Sequence, residues 1–402
     1  MTRRWGVLAI VFFGMLISYV DRGNLSIAAA PMMRDFALPP STMGMLLSAF
    51  FWTYAVFQIP AGFIVDRFGI KRVYAVAFLI WSLASASIAV SRGVADVLAM
   101  RMILGVAEAA GPIASIAFIR RNFAGKEQGL PTAIYIGAQN LGPALGTWVG
   151  TILIAGWGWR AMFAITGLSA LAWLPFWVGF APAGQNAGGA AQPAAKVKGR
   201  PTAHFAFWAM SAGIFLASYF WYFVLTWVPA YLTISRGFST LEMGRVLSIP
   251  LFVMAPMNIV AGFVADRLAA RLGSVFRVRV LFSALSYLGA SALILLVVVP
   301  AAAVMPILVV AMCCTGIGNS NYWAIAQHLP PAGLVGRTIG YLNTVSQIGG
   351  VVAPLVTGFI LGPQKQFGPA LVVAGLCSAA AGICLLSAGA RGLDRLKAVM
   401  AE

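Results

Sequence analysis

Charge is what this sequence has least of. Of 402 residues, only 9% are Asp, Glu, Lys or Arg, where a soluble domain carries roughly 25%. A soluble enzyme is excluded on that ground. Disorder is excluded as well, because it requires low hydrophobicity and 61% of this chain is apolar. Acids are scarcer than bases, ten against 27, which leaves a net charge of +17. Four cysteines, at 313, 314, 377 and 384, lie inside apolar runs, unlike a secreted disulfide framework. The two histidines, His204 and His328, lie at segment ends. No Cys/His spacing suits a metal, so no metal or cofactor is expected. No Ser/His/Asp or paired-carboxylate constellation points to an enzyme. No GxxxxGK[ST] phosphate loop is present either, so any work done across a membrane must draw on a gradient.

What is abundant is long apolar sequence. A helix needs about 20 apolar residues to cross a bilayer. Twelve such stretches are found, at 5–30, 41–65, 73–91, 96–119, 129–154, 160–181, 205–232, 241–265, 278–299, 303–327, 334–361 and 368–389. The runs are continuous rather than alternating, which predicts helices and not barrel strands. The fold class is therefore an all-α membrane protein with twelve transmembrane helices. Placing the N-terminus in the cytoplasm puts 19 of the 27 Lys and Arg residues on the cytoplasmic side and six outside. Arg279 is counted among the 19, and only Arg22 and Arg101 fall within spans. The positive balance is thus topological, and no basic soluble region exists to bind nucleic acid. Both termini are expected in the cytoplasm of a bacterial-type inner membrane.

The longest polar stretch runs from 184 to 203, rich in Ala, Gly and Pro, and reads as a cytoplasmic linker. It would separate a six-helix bundle over 1–183 from another over 204–402. A repeat supports the division: Gly62-Phe-Ile-Val-Asp66-Arg67 recurs as Gly262-Phe-Val-Ala-Asp266-Arg267, 200 residues later.

The stretch from Gly62 to Arg72, Gly-Phe-Ile-Val-Asp-Arg-Phe-Gly-Ile-Lys-Arg, resembles the signature loop of the major facilitator superfamily. That resemblance implies two six-helix bundles with pseudo-two-fold symmetry and a monomeric secondary transporter. It also implies a gating role for Asp66 and Arg67, with Asp266 and Arg267 as the weaker second copy. Three further segments narrow it: Tyr19-Val-Asp21-Arg22-Gly-Asn24-Leu-Ser26, Phe51-Trp52-Thr-Tyr54 to Gly62, and Arg101-Met-Ile-Leu-Gly105-Val-Ala-Glu108. These resemble the anion:cation symporter branch, which holds bacterial sugar-acid transporters together with sialin and the vesicular glutamate transporters. Where that branch often continues with Pro and then Phe-Pro, this chain has Ala109-Ala-Gly111-Pro112.

Four charges lie deep within spans: Asp21, Arg22, Arg101 and Glu108. Each costs roughly 2.5–3.5 kcal/mol on insertion scales, so each implies function. Helical rise places Glu108 near mid-bilayer and Asp21 and Arg22 roughly level with Arg101. Adjacent residues point about 100° apart on a helix. Asp21 is therefore expected to face Arg101, its charge partner, while Arg22 faces the cavity. The planar fork of Arg22 suits a carboxylate. Burial of Glu108 among Val, Ala and Gly penalises its ionised form, which suits a proton carrier. Asp21 is the second proton-coupling candidate. With both acids ionised the four charges cancel, and one proton then makes room for one anion.

By the same resemblance, Tyr54 and Gln139 match substrate-contacting positions. Tyr219, Tyr222, Ser320, Trp323, Asn343 and Gln347 are the candidates in the second half, although polar residues in spans also serve as interhelical glue. Span 5 carries Gly137-x4-Gly142-Pro143-x2-Gly146, which is read as close helix packing. The expectation is proton-coupled symport of an organic carboxylate, with protons, substrate and the lipid bilayer as partners. An exchanger of organic anions for phosphate, a drug-efflux antiporter and a non-transporting membrane sensor are the alternatives.

Overall fold

The structure, a computed structural model, describes residues 3–124, 127–182, 201–331 and 334–401. Among these there is no strand. The helices are α1 (Arg3–Ile27), α2 (Ala29–Asp35), α3 (Pro40–Phe68), α4 (Ile70–Ser87), α5 (Val94–Glu108), α6 (Ala110–Asn122), α7 (Gly129–Ala170), α8 (Trp173–Phe180), α9 (Phe205–Ile234), α10 (Thr240–Leu272), α11 (Val275–Ala290), α12 (Ala301–His328), α13 (Val335–Leu361) and α14 (Phe367–Ala401). Local sequence sets several boundaries. Pro40 opens α3, where its missing N–H costs nothing. Ser239 and Glu242 exchange hydrogen bonds at 2.8 and 3.3 Å to cap α10.

Eleven helical segments among the described residues are long and apolar enough to cross a membrane. Twelve were expected, and the difference lies at one residue. Spans 5 and 6 run together as one 52-residue segment, Gly129–Phe180. Within it Gly158 has φ 82° and ψ 170°, a conformation glycine adopts without a Cβ penalty. The chain turns on that single residue, so the two spans need no loop. Gly389, with φ 59°, divides α14 in the same way. Beyond it Leu393, Leu396 and Met400 form one buried stripe, a short amphipathic helix where the sequence reading had only a tail.

Packing divides the chain into two compact units. Unit 1 comprises 1–189 with 225–248 and 354–363, and unit 2 comprises 190–224, 249–353 and 364–402. The expected linker falls largely outside the described residues. Pieces of α9, α10 and α13 belong to unit 1.

The core of unit 1 holds an aromatic stack. Phe78 stacks on Trp173 at 4.1 Å and Trp173 on Trp177 at 5.4 Å. The indole N–H of Trp173 donates to the Ile10 carbonyl at 2.7 Å, and that of Trp177 to the Lys71 carbonyl at 2.9 Å. These bonds fix α8 against α1 and α4 while satisfying the buried polar edge of each ring. The core of unit 2 is built on Tyr287, Tyr322, Leu385 and Leu396. The Tyr322 hydroxyl donates to the Met210 carbonyl at 3.0 Å, tying α12 to α9.

Candidate functional site

The buried charges of unit 1 lie on α1 and α5, and the helical spacing of α1 decides what each one meets. Ser18 and Arg22 are four residues apart and therefore share a face. Both reach the same oxygen of Glu108. Ser18 Oγ donates to Glu108 Oε2 at 2.8 Å, and Arg22 Nε donates to it at 2.6 Å. The Glu108 side chain is fully buried and that of Arg22 is 12% exposed. Asp21 points away from this pair. It accepts from Asn24, three residues on, at 3.3 Å and from Ser85 of α4 at 3.2 Å. Asn24 also donates to Thr166 Oγ1 at 3.0 Å, which anchors the Asp21 side of α1 to α7.

This pairing corrects the expected one. Arg22 was expected to face the cavity and Asp21 to face Arg101. Instead Glu108 is the partner of Arg22, and among the described residues no ion pair joins Asp21 to Arg101. Depth estimates along single helices could not find the helix rotations that bring Arg22 onto Glu108.

Aromatic rings complete the surroundings. The Arg22 guanidinium lies over Tyr54 at 4.4 Å, Tyr19 at 4.5 Å and Phe50 at 5.0 Å. Such cation–π contacts hold a desolvated cation in place. Tyr54 stacks on Phe50 at 5.2 Å, so one aromatic pair supports the fork. Arg101 also lies over Phe50, 5.2 Å from the ring. Tyr19 is itself set by close packing: a Cβ on Gly142 would collide with it, so the glycine-proline stretch of α7 serves helix approach, as read from the sequence.

The network leaves hydrogen-bonding capacity in reserve. Asp21 Oδ2, Arg22 Nη2, Glu108 Oε1, and Nε and Nη1 of Arg101 are buried without hydrogen-bond partners. Buried polar atoms are seldom left so without cause. They are grouped on α1 and α5.

The other predicted residues are spread more widely. Gln139 donates to the Tyr135 hydroxyl at 2.7 Å on α7. In unit 2 the Tyr222 hydroxyl donates to Gln347 Oε1 at 2.7 Å, which joins α9 to α13. Tyr219 is buried on α9, and Asn343 lies one turn before Gln347 on α13. Ser320 Oγ donates to the Ile317 carbonyl of its own helix at 3.1 Å. Trp323 packs edge-on to Tyr322 at 5.8 Å. Asn319 is held by the Tyr287 hydroxyl at 2.7 Å.

The two copies of the loop motif differ. Asp266 pairs with Arg279, whose side chain is 7% exposed, and Arg279 also donates to Asn321 Oδ1 at 3.1 Å. Arg279 is thus a buried charge and not one of the flanking basic residues it was counted with. Asp66 is exposed and makes no ion pair among the described residues. Both following arginines lie over a phenylalanine, Arg67 over Phe68 at 5.4 Å and Arg267 over Phe263 at 3.9 Å.

Sequence reasoning missed Ser18, Tyr19, Asn24, Phe50, Ser85 and Thr166. For Ser18 and Asn24 the signal was present, because four- and three-residue offsets from Arg22 and Asp21 put each on the right face. For Ser85 and Thr166, which arrive from other helices, one sequence offers no such signal.

Comparison with known proteins agrees with this architecture. Residues 11–354 match the Major Facilitator Superfamily. The chain is 29% identical to a protein of Escherichia coli K12 named "Probable galactarate/D-glucarate transporter", covering 95% of this chain and 94% of that one. It is also 29% identical to the hexuronate transporter of Bacillus subtilis, covering 92% and 90%. The D-galactonate transporter of Escherichia coli O6:H1 is again 29% identical, covering 92% of each. Among solved structures, a bacterial homologue of the human lysosomal transporter Spinster superposes with a TM-score of 0.77 at 18% identity, over 99% of this chain and 97% of that one. A D-xylose–proton symporter superposes with a TM-score of 0.76 at 14% identity, over 96% and 97%.

Proposed function

Since this chain belongs to the Major Facilitator Superfamily, a multi-pass membrane transporter, we propose that it carries an organic carboxylate in symport with protons by alternating access. Sugar acids are the favoured class, because the relatives above are named for galactarate, glucarate, hexuronate and galactonate. The observation that carries the reading is the Arg22–Glu108 pair at 2.6 Å, buried and braced by Ser18.

The mechanism follows from what that pair can exchange. While Glu108 is ionised it holds the Arg22 fork and neutralises it. A proton on Glu108 cancels its charge and frees the guanidinium. A substrate carboxylate then takes the place of Glu108, bidentately through the planar fork. Loading of proton and anion is therefore linked, and the buried charge stays balanced in either state. Release of the proton lets Glu108 reclaim Arg22 and expel the anion. Asp21, held by Asn24 and Ser85, and Arg101, with two unsatisfied nitrogens, form a second pair of opposite charges that protonation can re-partner. Tyr54, Gln139, Tyr219, Ser320, Trp323, Asn343 and Gln347 supply the neutral contacts to substrate. Asp66, Arg67, Asp266 and Arg267 act in gating.

Uptake of labelled glucarate, galactonate and hexuronate into proteoliposomes under an imposed pH gradient tests this reading. Accumulation that follows the gradient and collapses with a protonophore is expected. Exchange alone, indifferent to pH, would support an anion exchanger instead. The charge bias also supports a cytoplasmic location for both termini and the 184–203 linker. A cysteine introduced in the linker should resist an impermeant label on intact cells, and ready labelling would reverse the orientation.

A further inference from the structure

The transport reading uses one oxygen of Glu108 and leaves the other without a role. Oε2 accepts from both Ser18 and Arg22, whereas Oε1 is buried and unpartnered. Helical spacing identifies what else lies on that acid's face. Ala109, between α5 and α6, keeps helical angles of φ −57° and ψ −27°. Gly111 and Ser115, three and seven residues on, therefore fall on the same side as Glu108. All three are buried. The Ser115 hydroxyl donates to the Gly111 carbonyl at 2.8 Å, so its lone pairs remain to accept.

Helix α4 carries a polar edge in the same interior. Tyr74, Trp81, Ser82 and Ser85 recur at helical spacing, and each is at most 1% exposed. Ser85 is engaged with Asp21. The Tyr74 hydroxyl, the Trp81 indole N–H and the Ser82 hydroxyl make no hydrogen bond. The Tyr74 hydroxyl reaches α1 at Gly14, where a Cβ would come within 2.8 Å of it, one turn before Ser18. It stands near Ser115 and within electrostatic range of Glu108. The other charged and titratable groups around Glu108 are Asp21, Arg22 and Tyr19 of α1 and Arg101 of its own helix. Tyr74 alone lies toward the Gly69 turn, about 7.5 Å from it along α4. Beside Gly111 there is space. A Cβ there would meet the Met15 sulfur and the Trp81 ring at 3.7 Å and nothing nearer, whereas one on Gly14 or Gly105 would collide. Room for a methyl group is also the room that one water needs, and unpartnered buried polar atoms around such a space hold ordered water.

We propose that one water molecule sits beside Gly111 and takes the proton from Glu108 Oε1, and that Tyr74 and Ser115 are positioning residues that lead this proton toward the Gly69 turn. The Oε1–H bond breaks as the water binds that proton and gives one of its own hydrogens to Tyr74 Oη. The Tyr74 and Ser115 hydroxyls each gain one hydrogen as they pass another on, and solvent beyond the turn is the final acceptor. Glu108 is left as the carboxylate that reclaims Arg22. Proton and substrate thus use different oxygens of one carboxyl group, Oε1 for the proton and Oε2, through Arg22, for the anion. The inference rests on the proton-coupled reading above.

Gly111→Ala fills the space at ordinary contact distance and tests the proposal in the full chain. X-ray footprinting generates hydroxyl radicals from water held at a site. In the unaltered chain Met15 and Trp81 should be oxidised although both are fully buried. Trp177, equally buried and bonded to the Lys71 carbonyl, should not be. Gly111→Ala should lower the Met15 and Trp81 yields severalfold and melt within a few degrees of the unaltered chain. In proteoliposomes it should slow glucarate uptake driven by a pH gradient about tenfold, the scale of one lost hydrogen bond in a barrier. Glucarate counterflow, which requires no proton release, should be unchanged. Tyr74→Phe should act in the same direction on driven uptake alone. An unaltered chain that accumulates no glucarate under the gradient would defeat the transport reading and the proton role with it. An accumulating chain whose rate ignores both substitutions would overturn this inference alone. Unoxidised Met15 and Trp81 would overturn it as well, and so would counterflow slowed as much as driven uptake, which would mark a packing defect.

Discussion

The interiors of the two units are polar in different ways. Unit 1 buries ionisable groups: Asp21, Arg101 and Glu108 are each at most 2% exposed, and Arg22 joins them. The interior of unit 2 is built from neutral pairs, Tyr222–Gln347, Tyr287–Asn319 and Ser218–Ser346, all at 2.7 Å. Its buried charge, Arg279, reaches to Asp266 where α10 ends. A repeat that recurs at 62–67 and 262–267 has thus diverged in its chemistry. Charged groups concentrate in the desolvated interior of unit 1. Neutral hydroxyls and amides, which hydrogen-bond without titrating, occupy the other unit.

The largest effect expected from breaking this contrast is at Arg22. Arg22→Ala leaves Glu108 buried without its cation, which costs about 3–5 kcal/mol when one partner of a buried pair is removed. Thermal melting in detergent should fall sharply, and uptake should be lost. Replacing both, Arg22→Met with Glu108→Met, should restore most of the melting temperature and none of the uptake. Recovery of uptake by the double variant would take the pair out of the mechanism.

A smaller effect separates the two loop motifs. Asp266→Asn weakens the hold on Arg279. The expected loss is about 1 kcal/mol, below the roughly 1.5–3 kcal/mol of a buried charged hydrogen bond, because the Asp266 side chain is 69% exposed and water screens it. Asp66→Asn should change stability by less than about 0.5 kcal/mol, as at other exposed sites, and should act on transport rate instead. Equal melting shifts for the two variants would mean that the copies are structurally equivalent after all.

A comparably small change is expected in unit 2. Tyr222→Phe removes the bond to Gln347, a neutral hydrogen bond worth about 1 kcal/mol. Substrate affinity should drop about fivefold while the response of uptake to pH keeps its shape. A changed pH response would place proton coupling in both units.

How far the sequence spoke for itself differed by level. Apolar runs located the spans because lipid demands length and continuity. They did not show that spans 5 and 6 join through Gly158, since a glycine inside an apolar run looks the same in a helix and at a turn. Arg279 was misplaced because Arg277 and Arg279 resemble ordinary flanking basics. Yet Phe276, Arg279, Val280 and Ser283 fall on one helical face, and all four are buried, so the period held the answer. The four buried charges stood out by rarity alone. Which of them meet depends on how α1 and α5 are rotated, and that rotation is set by packing such as Gly142 against Tyr19.

The central claim is that a proton on Glu108 frees Arg22 for the substrate's carboxylate. Glu108→Gln imitates the protonated acid at nearly constant shape. Substrate binding by this variant, measured across the pH range in detergent, together with counterflow and pH-driven uptake in proteoliposomes, tests the claim most directly. Binding should persist and lose its pH dependence, and substrate-for-substrate exchange should continue. Accumulation driven by a pH gradient should vanish, because no proton can leave. A Gln variant that still concentrates substrate in response to pH would contradict the account and move proton coupling to Asp21.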